Sequence, residues 1–152
     1  MRNDVGEPRV VRLLVVEDNE AYAYLIKKAF SYRKDLTRWE LTLAEDGEQA
    51  VRILFAEEQA HAPLPEIILL DWKLPKISGN EVLQRLKEHP ELRRIPVLVF
   101  STSAEDTDVH AAYDNHANGY ITKPGDVGRL AMIAEAIERF WTETAHLPKV
   151  VR

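Results

Sequence analysis

Carboxylate, hydroxyl and ammonium side chains stand at or just after the ends of short apolar runs in this sequence. They are Glu17, Asp18, Asp71, Ser101, Thr102 and Lys123. Carboxylates that lie close together repel one another unless a cation is placed among them. Oxygen ligands without histidine or cysteine favour a hard ion, so this set of residues predicts a site for Mg²⁺, or for Mn²⁺.

A carboxylate, a divalent ion and an ammonium group together indicate phosphoryl transfer. In this interpretation Asp71 is the nucleophile, and the ion neutralises the group that is transferred. Lys123 supplies a second cation to the phosphoryl oxygens. Each residue alone also has an ordinary explanation, because Asp71 could cap a turn and Lys123 could be a solvated loop residue. Their joint position at the ends of apolar runs is what favours a site.

The apolar runs themselves predict the strands that hold these residues. They cover 12–17, 39–44, 66–71, 95–101 and 119–122, and segments of helical spacing alternate with them. The predicted helices are 19–31, with Tyr22 on its apolar face, 47–58, a stretch ending before Pro90, 105–116 and 126–145. The alternation predicts a doubly wound α/β domain with a parallel sheet and right-handed crossovers. The carboxyl ends of its strands meet at one edge, where the functional site is expected.

The composition is that of one globular domain. The chain has 152 residues, 45% of them apolar and 30% charged, with a net charge of −5. The negative charge argues against a nucleic-acid partner, and the lack of cysteine excludes disulfides and zinc-thiolate sites. No apolar run is long enough to span a membrane, so a cytoplasmic protein is expected. We expect a loose tail at 1–9, the domain at 10–145 and an extension at 146–152.

Four motifs resemble, in order and spacing, those of the response-regulator receiver domain of two-component signalling. They are VVEDNE, LLDWKLPKISG, VFSTS and YITKP, and the resemblance covers about residues 10–140. It implies a flavodoxin-like (βα)5 fold with a five-stranded parallel sheet in the strand order 2-1-3-4-5. It also implies that Asp71 accepts a phosphoryl group from a phosphohistidine of a sensor histidine kinase.

The resemblance further implies the ligands of the magnesium ion. Asp18, Asp71 and the backbone carbonyl of Lys73 would bind it, with Glu17 acting mostly through water. Lys123 would pair with the phosphoryl group, and the peptide bond that follows it, to a proline, would be cis.

The resemblance also implies a switch. Ser101 would move toward the phosphoryl group and Tyr120 would rotate into the space behind it, which changes the surface of the fourth helix, fifth strand and fifth helix. Lys73 and the pair Thr102 and Ser103 stand where side chains of this family shape access of water to the acyl phosphate. We therefore expect them to tune its lifetime.

The predicted fifth helix has more apolar surface than one sheet needs. Its apolar arc covers about 180°, whereas roughly 100° suffices to cover a sheet. We predict that the surplus flank forms a homodimer, with residues 146–152 reaching over the partner. The dimer residues are Ile133, Ile137, Phe140 and Trp141. The alternative is that the tail folds back on its own domain.

Further local features resemble the small stand-alone regulators that work with phytochrome-type histidine kinases. These features are LPK after the acceptor, FW in the fifth helix, the following LP and the long loop EEQAHAPLP. A phosphorelay intermediate or a phosphate sink would share the same chemistry. A Mg²⁺-dependent phosphatase of the haloacid-dehalogenase type needs a second aspartate where Lys73 stands. A flavin or dinucleotide-binding module needs a glycine-rich first turn, where this chain has VEDNEA.

Overall fold

Five parallel strands form the central sheet of the protein. The structure, a computed structural model, describes residues 9–31, 37–56 and 63–150. The strands are β1 (Arg9–Val16), β2 (Thr37–Ala44), β3 (Ile67–Leu70), β4 (Val97–Ser101) and β5 (Gly119–Thr122). They pair in the order β2-β1-β3-β4-β5, and every pairing is parallel. The predicted fold class and strand order are confirmed.

Within the described residues, five α-helices connect and follow the strands. They are α1 (Glu20–Ser31), α2 (Gly47–Phe55), α3 (Gly79–Glu88), α4 (Asp106–Asp114) and α5 (Val127–Glu138). A short 3₁₀ turn, Leu92–Arg94, precedes β4. All five helices lie where the sequence predicts them, although α2 ends at Phe55 and residues 57 and 58 of its predicted range lie outside the described residues. None of these helices is long and apolar enough to cross a membrane.

The fifth helix changes its winding near its end. The α-helix ends at Glu138, and Arg139–Thr144 continues it as a π-helical segment. The Thr142 hydroxyl donates to the Glu138 carbonyl at 2.6 Å, and the Ala145 N–H donates to the Phe140 carbonyl at 2.7 Å. A side chain that binds a carbonyl one turn back competes with the regular backbone ladder. The predicted helix over 126–145 is therefore present over almost its full length, but its last part has π-helical winding.

The sheet is covered on both faces, which explains why its central strands are apolar without alternation. Leu14 and Val16 of β1 face one core, together with residues of α2 and α3. Leu13 and Val15 face the other core, which α1 and α5 cover. All four residues of β3 are buried, so the strand that leads to Asp71 is held from both sides.

Two glycines hold the loop after β3 close to its neighbours. A Cβ on Gly79 would lie 2.2 Å from the carbonyl oxygen of Asp71, and one on Gly47 would lie 1.8 Å from that of Ile77. Side chains larger than hydrogen do not fit at such approaches. The loop is therefore packed against the starts of α2 and α3, and this packing fixes the position of Asp71.

The described part of the carboxyl-terminal extension folds back on its own domain. Leu147 packs against the core under α1 and α5, and Val150 packs against the core on the opposite face. This arrangement is the alternative to a tail that reaches over a partner. Ile137 is 6% exposed and belongs to the core of its own chain, so its side chain cannot contribute to the predicted dimer surface.

Candidate functional site

Main-chain hydrogen bonds bring the strand ends to one edge of the sheet. The Asp71 N–H donates to the Val16 carbonyl at 3.0 Å, which ties the acceptor loop to the end of β1. The Lys123 N–H donates to the Ser101 carbonyl at 2.8 Å, which ties the end of β5 to the end of β4. The side chains predicted at the strand ends therefore meet at the edge where the strand order reverses between β1 and β3.

The three carboxylates of the predicted metal site lie together. One oxygen from each of Glu17, Asp18 and Asp71 lies within 4.8 Å of the other two. Glu17 and Asp71 are 2% and 7% exposed, whereas Asp18 is exposed to solvent. The Asn19 N–H donates to Glu17 Oε2 at 3.1 Å and so helps to orient that carboxylate. Negative oxygens at this spacing are stabilised by a cation, and the donor set fits a hard divalent ion.

The ammonium group of Lys123 neutralises part of this charge. Its Nζ lies 2.5 Å from Glu17 Oε1 and 3.1 Å from Asp71 Oδ2, and its side chain is 7% exposed. Three carboxylates and one ammonium leave an excess of two negative charges, which a divalent cation would balance. No cis peptide bond occurs among the described residues, so the bond between Lys123 and Pro124 is trans and the expected cis isomer is not found.

Burial and opposite charge compete in this pair. Burial raises the pKa of the Glu17 carboxyl group, although the hydrogen bond and charge of Lys123 oppose the rise. Burial alone would lower the pKa of Lys123, but the hydrogen bond to Glu17 and the charges of Asp71 and Glu17 outweigh it and raise that pKa. Lys123 is therefore held as an ammonium ion.

Tyr22 covers the ammonium group from the side of α1. The centre of its ring lies 4.9 Å from Lys123 Nζ, and its hydroxyl donates to the Pro124 carbonyl at 3.0 Å. The ring also packs against Phe100, and burial raises the pKa of the phenol. A cation over an aromatic face is attracted by the ring electrons. Sequence reasoning placed Tyr22 only on the apolar face of its helix and missed this contact.

The predicted switch residues belong to one hydrogen-bonded chain. Ser101 is fully buried, and its hydroxyl oxygen accepts from the Ser103 N–H at 3.2 Å. The Tyr120 hydroxyl donates to the Ser103 carbonyl at 2.9 Å, and its ring packs against the core under α2 and α3. Thr102 is exposed. The loop after β4 thus links Ser101 to Tyr120 through the backbone of Ser103.

Asp108 in the first turn of α4 is a second residue that sequence reasoning missed. Its Oδ2 accepts from the Ser103 hydroxyl at 2.6 Å and lies 3.9 Å from the Nζ of Lys73. The expected tuning residues Lys73 and Ser103 thus share one carboxylate partner. An acidic side chain in the first turn of a helix interacts favourably with the helix dipole. This interaction is the only feature of the local sequence that explains an acid at position 108.

The sequence of the chain matches the model of a known protein family. The model of the response regulator receiver domain matches residues 13–135. The chain belongs to this receiver-domain family. The chain is 38% identical over 149 residues to the response regulator Rcp1 of Synechocystis sp., an alignment that covers 97% of this chain and 99% of that protein.

Two solved structures are similar to the receiver domain over nearly their whole length. One is the phosphorylated cyanobacterial phytochrome response regulator RcpA, at 42% identity and a TM-score of 0.84, covering 91% of this chain and 99% of that chain. The other is the Mn²⁺-bound form of Rcp1, at 39% identity and a TM-score of 0.82, covering 93% and 99%. The receiver domain is therefore homologous to phytochrome response regulators and is a signalling domain of the two-component type.

Proposed function

We propose that the receiver domain accepts a phosphoryl group on Asp71 from the phosphohistidine of a sensor histidine kinase in the cytoplasm. The observation that carries this proposal is a largely buried Asp71 that lies 3.1 Å from the ammonium of Lys123 and beside two further carboxylates. In the reaction a carboxylate oxygen of Asp71 forms a bond to phosphorus while the bond from phosphorus to the imidazole nitrogen breaks. The electron pair of the broken bond stays with the kinase histidine, which then takes up a proton.

A divalent ion, Mg²⁺ in the cell, is part of this proposal. Asp18, Asp71 and the backbone carbonyl of Lys73 would hold it, and Glu17 would act mostly through water. When bound, it supplies positive charge to the phosphoryl oxygens. The acidic cluster supports this choice, as does the Mn²⁺ bound in the structure of the relative Rcp1. Lys123 adds its own charge to the same oxygens.

Phosphorylation would be read out through Ser101 and Tyr120. The new phosphoryl oxygens are strong acceptors, and the Ser101 hydroxyl would move toward them. Ser103 now donates its N–H to that hydroxyl and accepts from Tyr120 through its carbonyl. A displacement of Ser101 would therefore reach the Tyr120 ring, and the surface of α4, β5 and α5 would shift between two packings.

The kinase that we propose as partner is of the phytochrome type. The support is the relative RcpA, which is a cyanobacterial phytochrome response regulator. A phosphorelay intermediate or a phosphate sink would use the same acceptor chemistry with a different partner for the phosphoryl group.

A homodimer through α5 and the segment that follows it is also part of the proposal. Phe140 is 50% exposed and packs edge-on against Trp141, with 4.9 Å between ring centres. Ile133 and Trp141 are half-buried, so part of each remains available to a partner. We assign residues 10–145 to the domain, 1–9 to an amino-terminal tail whose last residue, Arg9, already pairs in β1, and 146–152 to the carboxyl-terminal extension.

Intact mass spectrometry tests the acceptor directly. The protein is mixed with acetyl phosphate and either Mg²⁺ or EDTA, beside the variant Asp71→Asn. We expect a single phosphoryl adduct that needs Mg²⁺ and is absent in the variant. An adduct that persists in Asp71→Asn, or no adduct even with a phosphorylated histidine kinase, would contradict the proposal. Sustained phosphate release from a generic phosphoester would instead favour a phosphatase.

A further inference from the structure

Asp108 connects the two loops that border the acceptor. Ser103 lies in the loop between β4 and α4, and Lys73 lies in the loop between β3 and α3. The same oxygen of Asp108 accepts from the Ser103 hydroxyl at 2.6 Å and lies 3.9 Å from Lys73 Nζ. The sequence position of Asp108 does not indicate a role in the chemistry, because several acidic residues lie near the start of α4.

The only hydrogen of the Ser103 hydroxyl is committed in this arrangement. A serine hydroxyl has one hydrogen, and here that hydrogen is donated to Asp108. The hydroxyl oxygen accepts from the Glu105 N–H at 3.2 Å. The hydroxyl therefore has no hydrogen left with which to orient a water molecule or to donate to a phosphoryl oxygen on Asp71.

We propose that Asp108 is a positioning residue that prolongs the life of the phosphoryl group on Asp71 by holding the Ser103 hydroxyl away from it. The inference rests on the proposed role of Asp71 as acceptor. Loss of the phosphoryl group is hydrolysis, in which a water oxygen bonds to phosphorus while the bond from phosphorus to the Asp71 oxygen breaks. In this proposal a freed Ser103 hydroxyl, in the loop that directly follows Ser101, would help to orient that water.

The hydroxyl bond, rather than the ion pair with Lys73, carries the effect. The Asp108 side chain is 21% exposed, and a short hydrogen bond to a carboxylate is charge-assisted and strong. The Lys73 side chain is 69% exposed, and ion pairs of such groups contribute little. Asp108→Asn, which removes the ion pair and keeps an acceptor oxygen for Ser103, therefore distinguishes the two contacts.

The experiment times the loss of the phosphoryl group from the full chain. After phosphorylation with acetyl phosphate the donor is removed, and the adduct is followed by intact mass in the presence of Mg²⁺. Asp108→Ala should shorten the lifetime by about fivefold, because a charge-assisted hydrogen bond is lost. Asp108→Asn keeps an acceptor oxygen for Ser103 and should stay within about twofold of the wild type.

Two further variants separate this role from a merely structural one. Asp106→Ala removes an exposed acid from the same turn of α4 and should leave the lifetime unchanged. In the Ser103→Ala background, Asp108→Ala should no longer shorten the lifetime, because no hydroxyl is left to release. An Asp108→Ala lifetime equal to that of the wild type, or an equal shortening in the Ser103→Ala background, would overturn the inference. Failure of the wild type to form any adduct would instead contradict the proposed function.

Discussion

At the scale of single residues, the site depends on one ammonium group between two buried carboxylates. Lys123→Met keeps the apolar stem of the side chain and removes its charge. Glu17 and Asp71, which are 2% and 7% exposed, would then lack the ammonium partner that they share. Breaking a buried ion pair from one side is costly, so we expect a loss of about 3 kcal/mol in the free energy of unfolding without divalent ions. Urea denaturation measures it.

Mg²⁺ and a second lysine provide the controls for this prediction. Added Mg²⁺ should recover part of the stability of Lys123→Met, because an ion that binds only the folded state stabilises it. Lys73→Met removes a lysine whose side chain is 69% exposed and should change the free energy of unfolding by less than about 0.5 kcal/mol. Equal losses in the two variants would show that the burial of Lys123 is not the cause.

Sequence reasoning found Asp71 and Lys123 but missed Tyr22 and Asp108, and the reason is physical. The order of apolar runs is enough to place the strand ends at one edge of a doubly wound sheet. Asp71 and Lys123 follow two of these strand ends, so their proximity could be predicted. Tyr22 fits the apolar face of α1 equally well whether or not it contacts Lys123. Asp108 likewise fits the acidic first turn of a helix. Their partners depend on how each helix start packs against the loops, and spacing along the chain does not encode that.

At the scale of secondary-structure elements, Lys87 joins the end of α3 to the starts of β4 and β5. Its Nζ donates to the carbonyls of Arg93 and Ile95 and to Asn118 Oδ1, at 3.0, 2.9 and 3.2 Å. Burial lowers the pKa of Lys87 from 10.5 to about 8. The folded protein thus binds fewer protons than the unfolded chain between these two pH values. The free energy of unfolding that Lys87 contributes should therefore rise with pH across this window.

Urea denaturation at the two ends of this window tests the role of Lys87. The wild type should gain stability relative to Lys87→Met as the pH rises from about 8 to about 10. Lys27→Met, which removes an exposed lysine of α1, controls for the general titration of lysines. If the free energy of unfolding changed with pH equally in the wild type and in Lys87→Met, the prediction would be wrong. The three acceptors would then keep Lys87 charged throughout this window.

Glu138 interrupts the apolar arc of α5 at its last turn. It is 5% exposed, and its Oε2 has no hydrogen-bond partner among the described residues. Burying a polar oxygen without a partner is unfavourable, so Glu138→Leu should raise the free energy of unfolding by about 1 kcal/mol. Thermal denaturation measures the change, and the exposed Glu143→Leu should have little effect. A less stable Glu138→Leu would show that the carboxylate is satisfied.

The ends of elements were harder to predict than their centres. The apolar spacing of α5 fixes which face covers the sheet, and Leu130, Ala134 and Ile137 are buried as that spacing requires. The change to π-helical winding after Glu138 has a different origin, because it accompanies a hydrogen bond from the Thr142 hydroxyl. Threonine makes such a bond in some helices and not in others, so its presence in the sequence does not reveal the change.

At the scale of the whole molecule, the flank that carries Ile133 of α5 and Phe140 of the following π-helical segment is the surface on which a second copy would bind. Phe140 is 50% exposed, so Phe140→Asp would place a charge in the contact without disturbing the core. We expect the wild type to be a dimer by light scattering at micromolar concentration, and this variant to weaken the dimer by at least about tenfold. Tyr24→Asp changes a 60% exposed aromatic residue on α1 and should leave the dimer intact.

The same variants separate assembly from acceptor chemistry. The whole of α5 lies between Lys123 and Phe140 along the chain, so Phe140→Asp should still take up a phosphoryl group on Asp71 at the wild-type rate. Circular dichroism should show an unchanged fold in both aspartate variants. A monomeric wild type would contradict the dimer outright. Loss of the dimer in Tyr24→Asp as well would assign the contact to α1 or to added charge in general, and not to the flank around Phe140.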